Sequence, residues 1–157
     1  MMLWCENMKI IKGNLIKLAL NGTFDVIIHG CNCYCTMGAG FAKAIKTEFP
    51  EAQKADNKTN KCSISKLGTY SYATEIKNGN EITIVNAYTQ YHYKGQGVLA
   101  DYKAIRKVFG KIKIDFHGKK IGYPKIGAGL AKGDWDIISE IIRKELIDED
   151  HTLVVVP

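Results

Sequence analysis

Two short segments collect the residues best suited to chemistry. The first runs Ile28-His29-Gly30-Cys31-Asn32-Cys33-Tyr34-Cys35-Thr36-Met37-Gly38-Ala39-Gly40-Phe41-Ala42. The second runs Tyr123-Pro124-Lys125-Ile126-Gly127-Ala128-Gly129-Leu130-Ala131-Lys132-Gly133. Glycine lets backbone N–H groups approach an oxyanion with no Cβ in the way. A helix N-terminus behind such a loop adds positive potential. Two loops of this kind side by side would cradle the two halves of a pyrophosphate. Neither carries G-x-x-x-x-G-K-[ST], which excludes a Walker loop, and neither carries G-x-G-x-x-G with an acid about 20 residues on, which argues against a Rossmann site. His29 is expected to end a buried strand at the first loop. Its free pKa of ~6.5 makes it the candidate to protonate a leaving hydroxyl or orient water. Asn32 cannot be a base, but it can align a water or a hydroxyl.

Other clusters invite chemistry and are set aside for stated reasons. Cys31, Cys33 and Cys35 lie beside His29, but zinc sites bring C-x₂₋₄-C pairs and a second ligand pair. C-x-C-x-C has the period of extended backbone, so no metal is expected. Tyr88, Tyr91, His92, Tyr93 and Lys94 form an aromatic and basic stretch that could stack a base. Without a nucleic-acid-binding signature elsewhere, that stretch is read as a loop after a strand. Lys103–Lys120 is basic, and is read as a solvated face. Asp134 is read as a helix N-cap, because Trp135 opens an apolar stripe directly after it.

The elements that must position these loops follow from periodicity. Phe24–His29 is a short apolar, β-branched run, which fits a strand covered on both faces. Met8–Lys12, Lys119–Tyr123 and Leu153–Val156 are further strands, and Leu15–Leu20 forms a helical turn. Gly38–Phe49 reads as a helix stopping at Pro50. Leu67–Thr74 and Glu81–Tyr88 flank Asn78-Gly79, a strong hairpin turn pair. Leu99–Phe109 and Trp135–Leu146 are helices, the latter with Trp135, Ile138, Ile141, Ile142 and Leu146 on one stripe. Alternating strands and helices with one hairpin predict an α/β layered domain with a mixed sheet.

Bulk properties bound the reading. The chain has 157 residues, 46% hydrophobic and 24% charged, which is ordinary globular composition and excludes a disordered tail, a collagen and a coiled coil. One domain over 1–157 is expected. The net charge of +6 suits an anionic ligand. Residues 103–132 hold nine Lys/Arg and one acid, and 134–150 hold seven acids and two bases. Part of that acidic block suits the start of a helix, and Asp148-Glu149-Asp150 is read as a solvated turn. Five cysteines, Cys5, Cys31, Cys33, Cys35 and Cys62, make a poor disulfide framework. With no stretch near ~18 apolar residues and no leader pattern, a reduced, cytoplasmic protein without membrane contact is expected.

The chain resembles a macro domain, the ADP-ribose-binding α/β/α module. Lys12-Gly13-Asn14-Leu15, His29-Gly30-Cys31-Asn32-Cys33, Met37-Gly38-Ala39-Gly40-Phe41-Ala42, Pro124-Lys125-Ile126-Gly127-Ala128-Gly129-Leu130 and Trp135 carry the resemblance, which spans nearly the whole chain. It implies a three-layer α/β/α domain with a mixed, mostly parallel central sheet. It looks closest to the branch holding the ADP-ribose 1″-phosphate phosphatase and the terminal ADP-ribose protein glycohydrolase. The resemblance implies that Gly13, Asn14 and Leu15 meet the adenine, with Asn14 accepting from its amino group. It places Asn32 and the loop Gly30–Ala42, including Met37, Gly38, Ala39, Gly40, Phe41 and Ala42, around the distal ribose. It places Ile126, Gly127, Ala128, Gly129, Leu130, Ala131 and Lys132 around the phosphates. The glycohydrolase pattern fails twice: its lysine falls on Gln90 or Tyr91, and its aspartate on Ala131, with Lys132 and Asp134 out of register. The expected function is therefore hydrolysis of ADP-ribose 1″-phosphate, with His29 and Asn32 as catalytic residues and no cofactor. The alternatives are an ADP-ribosyl hydrolase acting on modified protein or nucleic acid, and a binding module without catalysis. A monomer is expected, with nucleic acid as a partner only where it is itself ADP-ribosylated.

Overall fold

The structure is a computed structural model that describes residues 8–157, so Cys5 lies outside the described residues. The strands are β1 (Lys9–Lys12), β2 (Val26–Asn32), β3 (Tyr70–Lys77), β4 (Asn80–Gln90), β5 (Ile121–Tyr123) and β6 (His151–Val155). The helices are α1 (Leu15–Leu20), α2 (Gly40–Glu48), α3 (Pro50–Asn57), α4 (Tyr102–Asp115) and α5 (Trp135–Glu145), with a 3₁₀ turn at Ile64–Lys66. One six-stranded sheet runs β1-β6-β5-β2-β4-β3. Every neighbouring pair is parallel except β3 with β4. This is the three-layer, mostly parallel arrangement the sequence implies.

Alternation along β2 explains the layers. Val26 and Ile28 face one core, with Val108, Phe109, Ile112, Ile138 and Ile142 of α4 and α5. Ile27 faces the other, with Leu15, Ala19, Ile45, Phe49 and Ala52 from α1, α2 and the start of α3. A strand buried on both sides needs apolar residues at successive positions, as 26–28 supply.

Several elements differ from the sequence expectation, each for a local reason. The strand expected to end at His29 continues to Asn32. Gly30 pairs with Ala87 and Cys31 with Tyr88, and a bulge between Cys31 and Asn32 then shifts the register so that Asn32 pairs with Gln90. Pro50 does stop α2, but it also opens α3 at its first turn, where a missing N–H costs nothing. Helix α4 starts three residues later than expected, because the Asp101 side chain caps it by accepting from Ala104 N at 2.9 Å. It then runs six residues further, burying Ile112. The Asn78-Gly79 turn forms as expected, with φ of 54° and 78°, the positive pair that a tight hairpin turn requires. Asp134 caps α5, accepting from Asp136 N at 2.9 Å. The 148–150 turn is not simply solvated. Glu149 is half-buried with its side chain covered, and it accepts from His117 Nδ1 at 2.7 Å, Gly118 N at 3.0 Å and Lys113 Nζ at 3.2 Å. The expected acidic surface is partly a joint between α4 and β6. No helix among the described residues is long and apolar enough to cross a membrane.

Gly122 in β5 lies against the Phe24 ring, where an added Cβ would come within 2.7 Å of the ring carbons. Overpacking of this kind costs about 1–3 kcal/mol. Gly122→Ala should lower stability by that amount in urea unfolding, with an unchanged denaturant slope.

Candidate functional site

β2 and β5 are parallel neighbours, so the loops that leave their C-terminal ends emerge side by side. Between these loops lies a cleft of about 520 Å³. From the first segment it is lined by His29, Gly30, Cys31, Asn32, Thr36, Gly38, Ala39, Gly40, Phe41 and Ala42. From the second it is lined by Pro124, Lys125, Ile126, Gly127, Gly129, Leu130 and Ala131, with Gln90 and Tyr93 from the end of β4 and beyond. Ligands of open α/β sheets bind at this end of the strands.

The structure thus gathers thirteen of the residues expected to bind ligand, together with His29. It does not gather Gly13, Asn14, Leu15, Met37, Ala128 or Lys132 into the lining. Gly13 N donates to Val155 O at 2.9 Å, and Leu15 is buried in the core beside α2. The Asn14 Oδ1 caps α1, accepting from Lys17 N at 3.0 Å. Met37 is buried with Cys31, Cys33 and Tyr88. Thr36, Gln90 and Lys125 join the lining without having been singled out as binders. Of the two positions considered for the missing lysine, Gln90 is the one that lines the cleft. Tyr91 turns away, its hydroxyl donating to Cys62 O at 2.8 Å. Of the aromatic stretch only Tyr93 lines the cleft, within an aromatic group centred on Tyr34. The Tyr34 ring lies 4.3 Å from His92 and 5.7 Å from Tyr93.

The charge inventory of the lining is short. Among the described residues, Lys125 is the one charged side chain in the lining, and no carboxylate lines it. Helices α1, α4 and α5 each receive a side-chain cap, but the N-cap of α2, Ala39, offers none. The first N–H groups of a helix have no partner within it, and here they belong to Gly40, Phe41 and Ala42, which line the cleft. Gly40 begins that helix at φ 61°, a left-handed conformation that glycine adopts without strain. The chain can therefore turn into α2 with its amides presented.

Asn32 braces its own loop. Its Nδ2 donates to Thr36 Oγ1 at 2.8 Å and to Thr36 O at 3.1 Å, and its Oδ1 accepts from Tyr34 N at 2.8 Å. The loop is held from below by a buried ion pair. Lys66 and Asp56 are 6% and 1% exposed, 4.0 Å apart, and Lys66 Nζ donates to Cys33 O at 3.3 Å. Among the described residues, no three His, Cys, Asp or Glu side chains are grouped to hold a metal ion.

His29 is buried, with Nε2 2.7 Å from Asn86 Oδ1. Burial holds its pKa down at about 4, against a smaller upward pull from the Asn86 bond. The expectation of a group titrating near neutrality is corrected: desolvation keeps this imidazole neutral. His151, 2.6 Å from Tyr123 Oη, is held down to about 4 by the same cause. Between pH 6.5 and 4 the unfolded chain binds protons at both positions and the folded chain does not. This stabilisation is complete above pH 6.5 and is lost as pH falls toward 4. Unfolding followed from pH 7 to 4.5 should show a loss on the order of 2 kcal/mol or more, since each pKa unit corresponds to 1.36 kcal/mol. His29→Gln should flatten part of that slope.

No protein-family model matches the chain. A bacteriophage T4 protein, described as an uncharacterised 17.5 kDa protein of the tk-vs intergenic region, is 35% identical over 140 residues, 85% of this chain and 86% of its own. The ADP-ribose 1″-phosphate phosphatase of Candida albicans is 28% identical over 142 residues, 80% of this chain and 85% of its own. Among solved structures, the macrodomain of Mycobacterium tuberculosis DarG superposes with a TM-score of 0.73 at 18% identity, covering 96% of this chain and 100% of that one. Thermosipho africanus DarTG, solved in complex with ADP-ribose, superposes with a TM-score of 0.71 at 16% identity, covering 97% of this chain and 42% of that one.

Proposed function

Since the chain is a macrodomain of one family with the phage T4 17.5 kDa protein, we propose that it binds ADP-ribose in this cleft and hydrolyses ADP-ribose 1″-phosphate. The observation that carries the reading is the uncapped N-terminus of α2 facing the 126–131 loop, with Lys125 as the cleft's lone charge. Backbone amides, a helix terminus and one cation form a holder for phosphate oxygens. The similarity to the Candida phosphatase and to a macrodomain protein solved with ADP-ribose supports the same ligand. Asn14 keeps a second lone pair for the adenine amino group.

In the proposed reaction water attacks phosphorus, the bond from phosphorus to the C1″ oxygen breaks, and a proton given up by the attacking water passes to the departing ribose oxygen. The products are ADP-ribose and inorganic phosphate. Such a transfer is mostly positioning and charge stabilisation. It therefore suits a cleft whose lining contains no carboxylate. Neutral His29 supplies a hydrogen bond rather than a titrating charge, and Asn32 fixes the loop that meets the ribose. The glycohydrolase alternative needs a lysine and a carboxylate where Gln90 and Ala131 stand. The same missing base favours a second reading, binding without turnover.

Phosphate release from ADP-ribose 1″-phosphate, measured beside calorimetric binding of ADP-ribose, separates these readings. Phosphate release should fall about 10–100-fold in His29→Ala, the scale of losing one buried hydrogen bond that orients the reacting groups. Lys125→Gln should weaken ADP-ribose binding and raise KM for the phosphorylated substrate, each several-fold. Binding without phosphate release leaves the module reading, and absence of both removes the ADP-ribose assignment.

A further inference from the structure

Beneath the cleft, a chain of hydrogen bonds crosses three strands. The register sets His29 beside Asn86 and Asn86 beside Ser71, so β2, β4 and β3 each put one polar side chain into a single row. Cys31 pairs with Tyr88 in the next row on the same face. Asn86 is wholly buried, and a buried amide is tolerated only when its hydrogen bonds are made.

The direction of every bond in the chain is forced. Asn86 Nδ2 lies 3.0 Å from the Ala52 carbonyl, an atom that can only accept. That fixes which end of the amide is nitrogen, a choice otherwise left to convention. Asn86 Oδ1 therefore faces His29 Nε2 at 2.7 Å, and Nε2 must carry the proton. Asn86 Nδ2 also donates to Ser71 Oγ at 3.0 Å. Ser71 then spends its own proton on Tyr88 Oη at 2.7 Å, and Tyr88 donates to Asp56 Oδ1 at 2.7 Å. The chain ends on the Asp56 carboxyl, with the Lys66 ammonium 4.0 Å away; burial raises its pKa, and the Tyr88 hydrogen bond and the Lys66 charge pull against that rise.

We propose that Asn86 is a positioning residue, which locks His29 as the Nε2–H imidazole and leaves its Nδ1 lone pair to accept from water or a ligand hydroxyl in the cleft. The role given to that lone pair rests on the phosphatase reading; the tautomer does not. The Cys31 sulfur lies 3.7 Å from Nδ1 and 3.5 Å from Nε2, and its thiol is the protein group that a water or ligand hydroxyl would meet at Nδ1. The Ser71–Tyr88–Asp56 segment braces Asn86 from behind. The titratable groups around His29 are Cys31 on its own strand, Tyr88 on β4, Asp56 on α3 and, beyond it, Lys66 on the 3₁₀ turn. Burial pushes the Cys31 thiol and the Tyr88 phenol upward, so neither supplies a charge in the neutral range.

Long-range ¹H–¹⁵N spectra of the wild-type imidazoles test the lock without any substrate. The expected result is the Nε2–H tautomer of His29 throughout pH 5.5–8.5. An Nδ1–H tautomer, or a protonation midpoint near the free value, overturns the inference whether or not phosphate is released. Asn86→Asp supplies the functional arm by placing a carboxylate against Nε2, which favours the imidazolium. His29 should then titrate near neutrality, and phosphate release should drop about tenfold or more at pH 6 and recover by pH 8, relative to wild type at each pH. A merely structural role would lower activity equally at both. The same tautomer and the same pH profile as wild type would overturn the proposal. If Asn86→Asp does not fold, the wild-type spectrum still decides it. The expected tautomer without phosphate release supports the lock and removes the phosphatase reading alone.

Discussion

The parallel pairing of β2 with β5 is the constraint on which the rest of the molecule depends. Parallel strands release their following loops at the same end of a sheet; an antiparallel pair would send these two loops to opposite ends. The pairing itself follows from burial. Val26, Ile27 and Ile28 are apolar at successive positions, so β2 must have helices on both faces, and it lies near the middle of the sheet, between β4 and β5. β5 is only three residues long, which brings the second loop out directly beside the extended end of β2. The cleft is thus a consequence of topology before it is a matter of particular side chains.

Chemistry enters where that apolar strand turns polar. Its last residues carry His29 into the buried region between the sheet and α3, where Asn86 meets it and desolvation sets the terms, and carry Asn32 to the cleft. The imidazole is kept neutral, each amide and hydroxyl in its row has a partner, and the carboxylate at the far end has a lysine beside it. What faces the ligand is consequently almost free of formal charge. In the proposed function, phosphate recognition falls to backbone amides of α2 and the 126–131 loop, helped by Lys125. The basic stretch of the sequence narrows accordingly: of its cations, one reaches the cleft lining.

Local signals made much of this legible in the sequence. The apolar run of β2, the Asn78-Gly79 turn and the Asp134 cap each have a short-range physical cause, and each forms as expected. The glycine loops were legible for the same reason, since their composition states where backbone must come close to something. Long-range facts were less visible. Pro50 marks both the end of one helix and the start of the next, and composition does not say which. Gly13, Asn14 and Leu15 were expected as binders from the family resemblance; what the sequence did not show is that Asn14 also caps α1 and that Leu15 packs in the core. The row of His29, Asn86 and Ser71 depends on strand register across 57 and 15 residues of sequence separation. A hint existed in the lone asparagine inside the apolar run of β4, since a polar residue there must find partners.

Backbone amide shift mapping during titration with ADP-ribose tests the central claim, that the two loops at the ends of β2 and β5 form one ligand cleft. The account predicts saturable perturbations concentrated in Gly30–Ala42 and Lys125–Ala131, with Gln90 and Tyr93 among them and the Gly40 and Phe41 amides among the most affected. Perturbations centred instead on the groove of Lys54, Lys58, Ser71 and Tyr72, or confined to one loop, would contradict it.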